Sequence, residues 1–282
     1  MFFKKFPNID YDFEGKGETN TIKNIFRSVR ALPTFLDEFT GYSFYHVING
    51  ERPDIVSQRL YGSSEFYWTF FVINDFLHDG YRVWPLSQED LEEYFETHYS
   101  GKVITTNPRI EPDSDGLDTT VDSLAGKFDL GSIVHGGTSG AKGTIVKKNI
   151  DMNQLVIQDI TEGTAGVHPI TGASDSNFSG GPFQSSEQLV QELPSSHQVK
   201  IDKVFNYIDA PYQYFKTGDT ERKQVTNKTF IDSTDSVDEN QLSFITNRLF
   251  ETERNDQRSF IRYVQPTAMG DFVKAFNDLI QE

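Results

Sequence analysis

Residues 42–85 constrain this chain more than any other stretch. Tyr42-Ser-Phe-Tyr-His-Val-Ile alternates side chains at the period of a strand with one covered face. Asn49-Gly50 signals a turn, and Pro53 suits the first turn of a helix running to Leu60. Tyr61-Gly62 supplies the stop. Ser63 or Ser64 caps a second helix, Glu65–Asn74, whose apolar residues are Phe66, Trp68, Phe70, Phe71 and Ile73. Gly80-Tyr-Arg-Val-Trp-Pro reads as a short closing strand with Pro85 at its end. The expected order is strand, helix, helix, strand. The two strands pair antiparallel, with both helices on one face.

A module this small has more rings than it needs. Tyr61, Phe66, Tyr67, Trp68, Phe70, Phe71 and Trp84 exceed what so short a segment buries by itself. Several must be core. The surplus has two readings, further core or a protein-binding face, since Trp and Tyr dominate interface hot spots.

These residues resemble the LysM module. The matching positions are Tyr45-His-Val47, Gly50-Glu51, Tyr61-Gly62, Tyr67-Trp68, Asn74 and Val83-Trp84-Pro85. Modules of that family on cell-wall enzymes bind N-acetylglucosamine glycans. This copy differs in having Arg52-Pro53 where a Thr-Leu pair is usual, and in its very aromatic second helix. A glycan binder needs an open groove beside the Gly50–Pro53 turn and the loop after Asn74. A structural module has that groove filled by its own chain or by a partner.

The rest of the chain divides by composition. Residues 1–40 open with an apolar arm carrying Phe2, Phe3, Phe6, Tyr11 and Phe13, interrupted by Gly15 and Gly17. Ile22, Ile25, Phe26, Val29 and Leu32 then fall at helical spacing up to Pro33, so a short helix is expected over 21–32. The arm either packs on its own domain or docks on a partner. Residues 41–106 hold the LysM-like module and a Glu-rich helix, Gln88–Tyr99. Residues 107–122 carry prolines and aspartates and read as a linker or loop. They open a 107–196 segment whose β-rich runs and Gly-rich turns predict an inserted small barrel or sandwich. Gly166–Gly181 looks like a weaker copy of the Gly-rich run before it. Residues 197–282 form a C-terminal region. There Val199–Tyr207 reads as a strand, Ala210–Phe215 as an aromatic loop and Val237–Glu253 as a helix. Arg258–Val264 reads as a strand and Asp271–Ile280 as an amphipathic helix presenting Phe272 and Phe276. The fold class is therefore α+β.

Charge excludes several functions. The net charge of −16 is spread evenly along the chain, and no basic stripe exists to neutralise phosphates. Nucleic acid and anionic membrane are not expected partners. No apolar run approaches the ~18–20 residues of a bilayer span. Cys is absent, which removes disulfides, thiolate metal ligands and thiol nucleophiles.

Candidate chemistry is thin. The Gly-rich run at 136–143 lacks the Gly-Lys-Ser/Thr ending of a phosphate loop, and Gly137–Ala141 misses the second Gly of a nucleophile elbow. Asp113, Asp115 and Asp118 beside Gly116 lack the spacing of a calcium loop. The six histidines include no pair within five positions, so no His-x-x-x-His metal pair is expected. Glu92-Glu93 and Glu251-x-Glu253 read as exposed helix faces, not as a hydrolase's acid pair. The expectation is no catalytic residue, no cofactor and no metal.

Taken end to end, the chain resembles the LysM-containing baseplate wedge subunits of T-even-like contractile-tailed bacteriophages. Three stretches carry the resemblance. They are Phe2–Tyr11 followed by Asn24-Ile-Phe-Arg, then Arg59–Asp75, and then Glu253–Val264 followed by Phe276-Asn-Asp-Leu. The resemblance implies a non-enzymatic structural protein of the virion tail baseplate, assembled in the host cytoplasm. It implies six copies, one per wedge, around a closed ring. It also implies contacts with other wedge proteins and with the sheath-initiating ring subunit. The subunit would clamp wedge proteins together and join neighbouring wedges around the hub. The alternative is a LysM protein binding peptidoglycan glycans. Interface candidates are Phe2, Phe3, Phe6, Tyr11, Phe26, Tyr61, Tyr67, Trp68, Trp84, Phe272 and Phe276.

Overall fold

The computed structural model describes residues 6–24, 41–112, 114–225 and 242–281, as two units. One unit combines residues 1–92 with 252–282, and the other is 93–251. The architecture is α+β.

The first unit opens with a hairpin, β1 (Asn8–Tyr11) against β2 (Asn20–Lys23), paired antiparallel. The Asp12 carboxylate gathers the N–H groups of Gly17, Gly15 and Glu14 at 2.6–3.0 Å and so shapes the turn. Those bonds, led by Gly17, hold its pKa below the usual carboxylate value. The start of the expected 21–32 helix is thus strand, because Thr21 and Ile22 find ladder partners in β1. The remainder of that helix, Phe26 included, lies outside the described residues, as do Phe2 and Phe3.

β3 (Tyr42–His46) follows, then the turn at Asn49-Gly50 and α1 (Pro53–Tyr61). Gly62 caps α1 at φ 69°, the left-handed conformation a side chain would strain, and its N–H bonds the Gln58 carbonyl. The single helix expected over 65–74 is broken. A 3₁₀ turn, Ser64–Phe66, precedes α2 (Trp68–Ile73), and Ser63 caps the turn through its hydroxyl. The closing strand expected at 80–85 is a 3₁₀ turn, Gly80–Val83. Its place beside β3 is taken from far downstream, as described below. α3 (Gln88–His98) matches the Glu-rich helix.

The second unit centres on one antiparallel sheet. Its strands include β4 (Lys102–Thr105), which is followed by a separate hairpin, β5 (Arg109–Pro112) with β6 (Asp118–Val121). The expected linker is therefore a two-stranded element. Then come β7 (Ile133–Gly136), β8 (Lys142–Asn149), β9 (Gln154–Thr161), β10 (Gln188–Gln191), β11 (His197–Lys200) and β12 (Lys203–Asn206). The sheet order is β11-β10-β7-β8-β9-β4-β12. β11 and β12 are nearly continuous in sequence yet stand at opposite ends of that order. A chain that pairs with β10 through one half and β4 through the other curls the sheet into a barrel. Inside lie Ile104, Phe128, Val134, Ile145, Leu155 and Ile157, with Leu189 and Val199. The sheet reaches beyond the 107–196 span at both ends. Residues 166–181 are no second copy of the Gly-rich run. They belong to an irregular connection holding only the isolated bridges Gly163↔Gly181 and Val167↔Ser174.

β13 (Pro211–Lys216) pairs with β14 (Leu242–Thr246). Both correct the sequence reading, which took the first for a loop and the second for the start of a helix. Leu242 and Ile245 fit either period, and pairing decides. The Thr246 hydroxyl then accepts the Leu249 N–H, and α4 (Asn247–Ser259) starts only there. Residues 237–241 lie outside the described residues.

The chain returns to the first unit within α4. β15 (Phe260–Val264) pairs antiparallel with β3, Ile261 opposite Tyr45. After Pro266 comes α5 (Met269–Gln281), burying Phe272, Phe276 and Ile280. Two apolar clusters result. Val47, Val56, Phe70, Leu77, Trp84 and Ile261 form one. Phe6, Trp68, Ile73, Val264, Phe272 and Phe276 belong to the other.

Candidate functional site

Within the first unit, the turn that the LysM resemblance singles out is fastened to residues 84–88 of the same chain. The turn residue Glu51 is buried. Its carboxylate takes the Tyr45 hydroxyl at 2.8 Å and the Arg59 guanidinium at 2.9 Å. Burial first, then that carboxylate, raises the Tyr45 pKa. The Trp84 indole N–H donates to the Glu51 carbonyl at 2.8 Å, and the Asn49 side chain takes the Gln88 N–H at 2.7 Å. A Cβ on Gly50 would meet the Ser87 Cβ at 3.5 Å. Residues 84–88 are thus fastened to the Asn49–Glu51 turn. Buried Asn74 donates to the Phe70 and Arg262 carbonyls and accepts the Arg262 N–H at 2.8 Å. Its amide acts as one more rung beside β15.

The aromatic interface candidates fall into two groups. Phe6, Trp68, Trp84, Phe272 and Phe276 are buried. Trp68 sits 4.4 Å from the Phe276 ring centroid and 6.2 Å from that of Phe272. Of the two readings of the arm, Phe6 follows the first and packs on its own unit. Tyr61 and Tyr67 are half-buried against both clusters. Tyr11 is exposed, edge-on to Phe13 at 5.0 Å. Phe2, Phe3 and Phe26 lie outside the described residues.

Sequence reasoning missed the exposed aromatic face. Antiparallel pairing sets Phe44, His46, Phe260 and Arg262 on one side of the β3–β15 ribbon. Phe44 and Phe260 are 49% and 54% exposed and stack with ring centroids 5.0 Å apart and planes within 6°. The Arg262 guanidinium lies over Tyr42 and Phe44 at 5.4 and 5.9 Å. The result is a flat apolar step with a cation on it, the composition of an interface anchor. By sequence, Phe44 is only one residue of a strand. Its partner Phe260 comes from a strand whose pairing no local signal reveals.

In the second unit, the Gly-rich turn 136–140 does present backbone N–H groups to an anion, and the anion is internal. Glu187 accepts the N–H groups of Thr138 and Ser139 at 3.0 and 2.8 Å, the Ser139 hydroxyl at 2.9 Å and the Gln184 N–H at 2.7 Å. Ser139 is fully buried, which leaves it no access to a substrate. A polar cavity of about 150 Å³ near Arg109, Asp122, Lys200 and Asp202 carries both signs of charge, with Arg109 paired to Asp122.

No described helix is long and apolar enough to cross a membrane. Comparison with curated proteins finds no match. Residues 1–114, less than half of the chain, match the family described as Base plate wedge protein 53. That match supports a structural baseplate role, and the location it implies is the tail baseplate of a phage virion.

Proposed function

We propose that this chain is a structural component of a phage baseplate wedge that clamps wedge proteins to one another. The observation that carries the reading is the Asn49–Glu51 turn bonded to its own chain. Trp84 and Gln88 hold the turn a glycan would need, and Asn74 is fastened to Arg262. Among the apolar side chains the unit leaves exposed, Phe44 and Phe260 are stacked on each other, which suits a protein surface. The family match over residues 1–114 agrees with this. The finer elements rest on the resemblance alone: neighbouring wedges joined around the hub, six copies, and contact with the sheath-initiating ring.

The test pairs two assays on the purified full chain. In one, it is mixed with the other wedge proteins of its phage and run on a sizing column. In the other, it is sedimented with purified peptidoglycan. Expected are a stable complex in the first and no sedimentation in the second. Phe44→Asp with Phe260→Asp should abolish the complex while leaving the melting temperature within a few degrees. Sedimentation with peptidoglycan and no wedge complex would overturn the proposal in favour of glycan binding.

A further inference from the structure

The barrel carries a cluster of ligand-type side chains that sequence spacing hides. β7 presents His135, and β10 pairs with it, Val190 opposite His135. Glu192 follows just past the end of β10. The irregular connection between β9 and β10 folds back over the same place and delivers His168. Nε2 of His135 stands 3.0 Å from Glu192 Oε1, and Nε2 of His168 stands 3.3 Å from the same oxygen. All three donor atoms lie within 4.8 Å of one another. Phe178 packs edge-on against both imidazoles, at 6.0 and 5.3 Å.

We propose that His135, His168 and Glu192 bind one divalent first-row cation, zinc by preference, and that the ion staples the 162–187 connection to the barrel. The donor set is two imidazoles and a carboxylate, which suits a borderline cation better than calcium or magnesium. Ligand atoms about 2.0–2.1 Å from a tetrahedral zinc stand about 3.3 Å apart, so the present spacing needs only small side-chain shifts. His135 is buried, and its Nδ1 faces the Gly136 carbonyl at 3.4 Å. Ligating histidines typically donate that second N–H to such an acceptor, which turns the Nε2 lone pair toward the metal. His168 differs. Its Nδ1 accepts the N–H groups of Ile170 and Thr171, both at 3.3 Å. Binding through Nε2 moves the ring proton to Nδ1, and those two long contacts open. Metal uptake therefore rearranges the tip around Pro169–Gly172.

The fold gives such a staple a purpose. The connection has no helix or strand of its own, and connections of this length are uncommon unless functional. Its described backbone ties are two isolated bridges and bonds such as Ser179 N–H to the Thr138 carbonyl at 2.8 Å. A metal joining residue 168 to residues 135 and 192 closes it at its far end.

The experiment uses the full-length chain without a histidine tag, stripped with EDTA. Zn²⁺ binding is followed calorimetrically and Co²⁺ binding by its visible absorption. Expected are one ion per chain and a four-coordinate Co²⁺ spectrum. Amide exchange should slow across 162–181 on Zn²⁺ addition. Glu192→Gln and His168→Ala should each weaken binding by about 100-fold. Glu192→Gln is nearly isosteric and retains the fold if His168→Ala does not. No stoichiometric binding, or binding unchanged in Glu192→Gln, overturns the proposal.

Discussion

Trp68 shows how one ring is committed. It lies against Phe276 and Phe272, in a cluster that also draws on Phe6 and Val264. Trp68→Ala leaves a cavity beside these rings, and a loss of about 3–5 kcal/mol is expected, read as a lowered urea midpoint. Two phenols make a second residue-level prediction. Burial raises the pKa of Tyr61, and burial followed by the Glu251 carboxylate raises that of Tyr99, both well above the ordinary tyrosine value. Tyrosines of the unfolded chain ionise near pH 10. Above that pH the folded state binds more protons than the unfolded one, so stability falls as pH rises. Urea midpoints should be level between about pH 7 and pH 9 and drop above pH 10, and Tyr61→Phe with Tyr99→Phe should shrink the drop. Much at this scale was legible. Gly62, Ser63, Pro53 and Pro266 act locally, and they stop or cap elements where the sequence places those signals. His135, His168 and Glu192 were not legible, because their meeting depends on a strand pairing and a folded-back connection.

At the scale of elements, the sequence was readable wherever an element is stabilised by its own periodicity, as in α1, α3 and α5. It misled where pairing decides. Val83-Trp84 has strand character, yet Trp84 is turned inward to the Glu51 carbonyl and its segment winds as a 3₁₀ turn. The partner of β3 is β15, held in register by Ile261 under Tyr45 and by Asn74 on Arg262. A chain ending at residue 258 therefore loses the second strand and α5 together. Both tryptophans of the protein, Trp68 and Trp84, lie in this unit. Their emission should shift to that of solvent-exposed indole in the shortened chain. The far-UV melt of the barrel should persist.

At the scale of the whole molecule, the barrel's limits follow from β4 and β12 and not from composition. The Tyr207 N–H bonds the Gly101 carbonyl at 3.1 Å, so the barrel's entry and exit are adjacent. Replacing residues 102–206 by a two-residue link should leave the tryptophan-reported melting of the first unit within a few degrees. Removing only 107–196 should instead give an insoluble chain, since β4 then loses β9, β11 loses β10, and Ile104 and Val199 are exposed.

The β3–β15 pairing also sets an order of events during synthesis. The ribosome delivers β3 and α1 first, then the entire barrel, and only then the strand that completes the first unit. At about 5–20 residues per second, that strand follows β3 by on the order of ten to forty seconds. The barrel can close while its predecessor in sequence still waits. A truncated product would carry a finished barrel and no Phe260 to stack on Phe44. The aromatic step is thus displayed only by chains translated past residue 264.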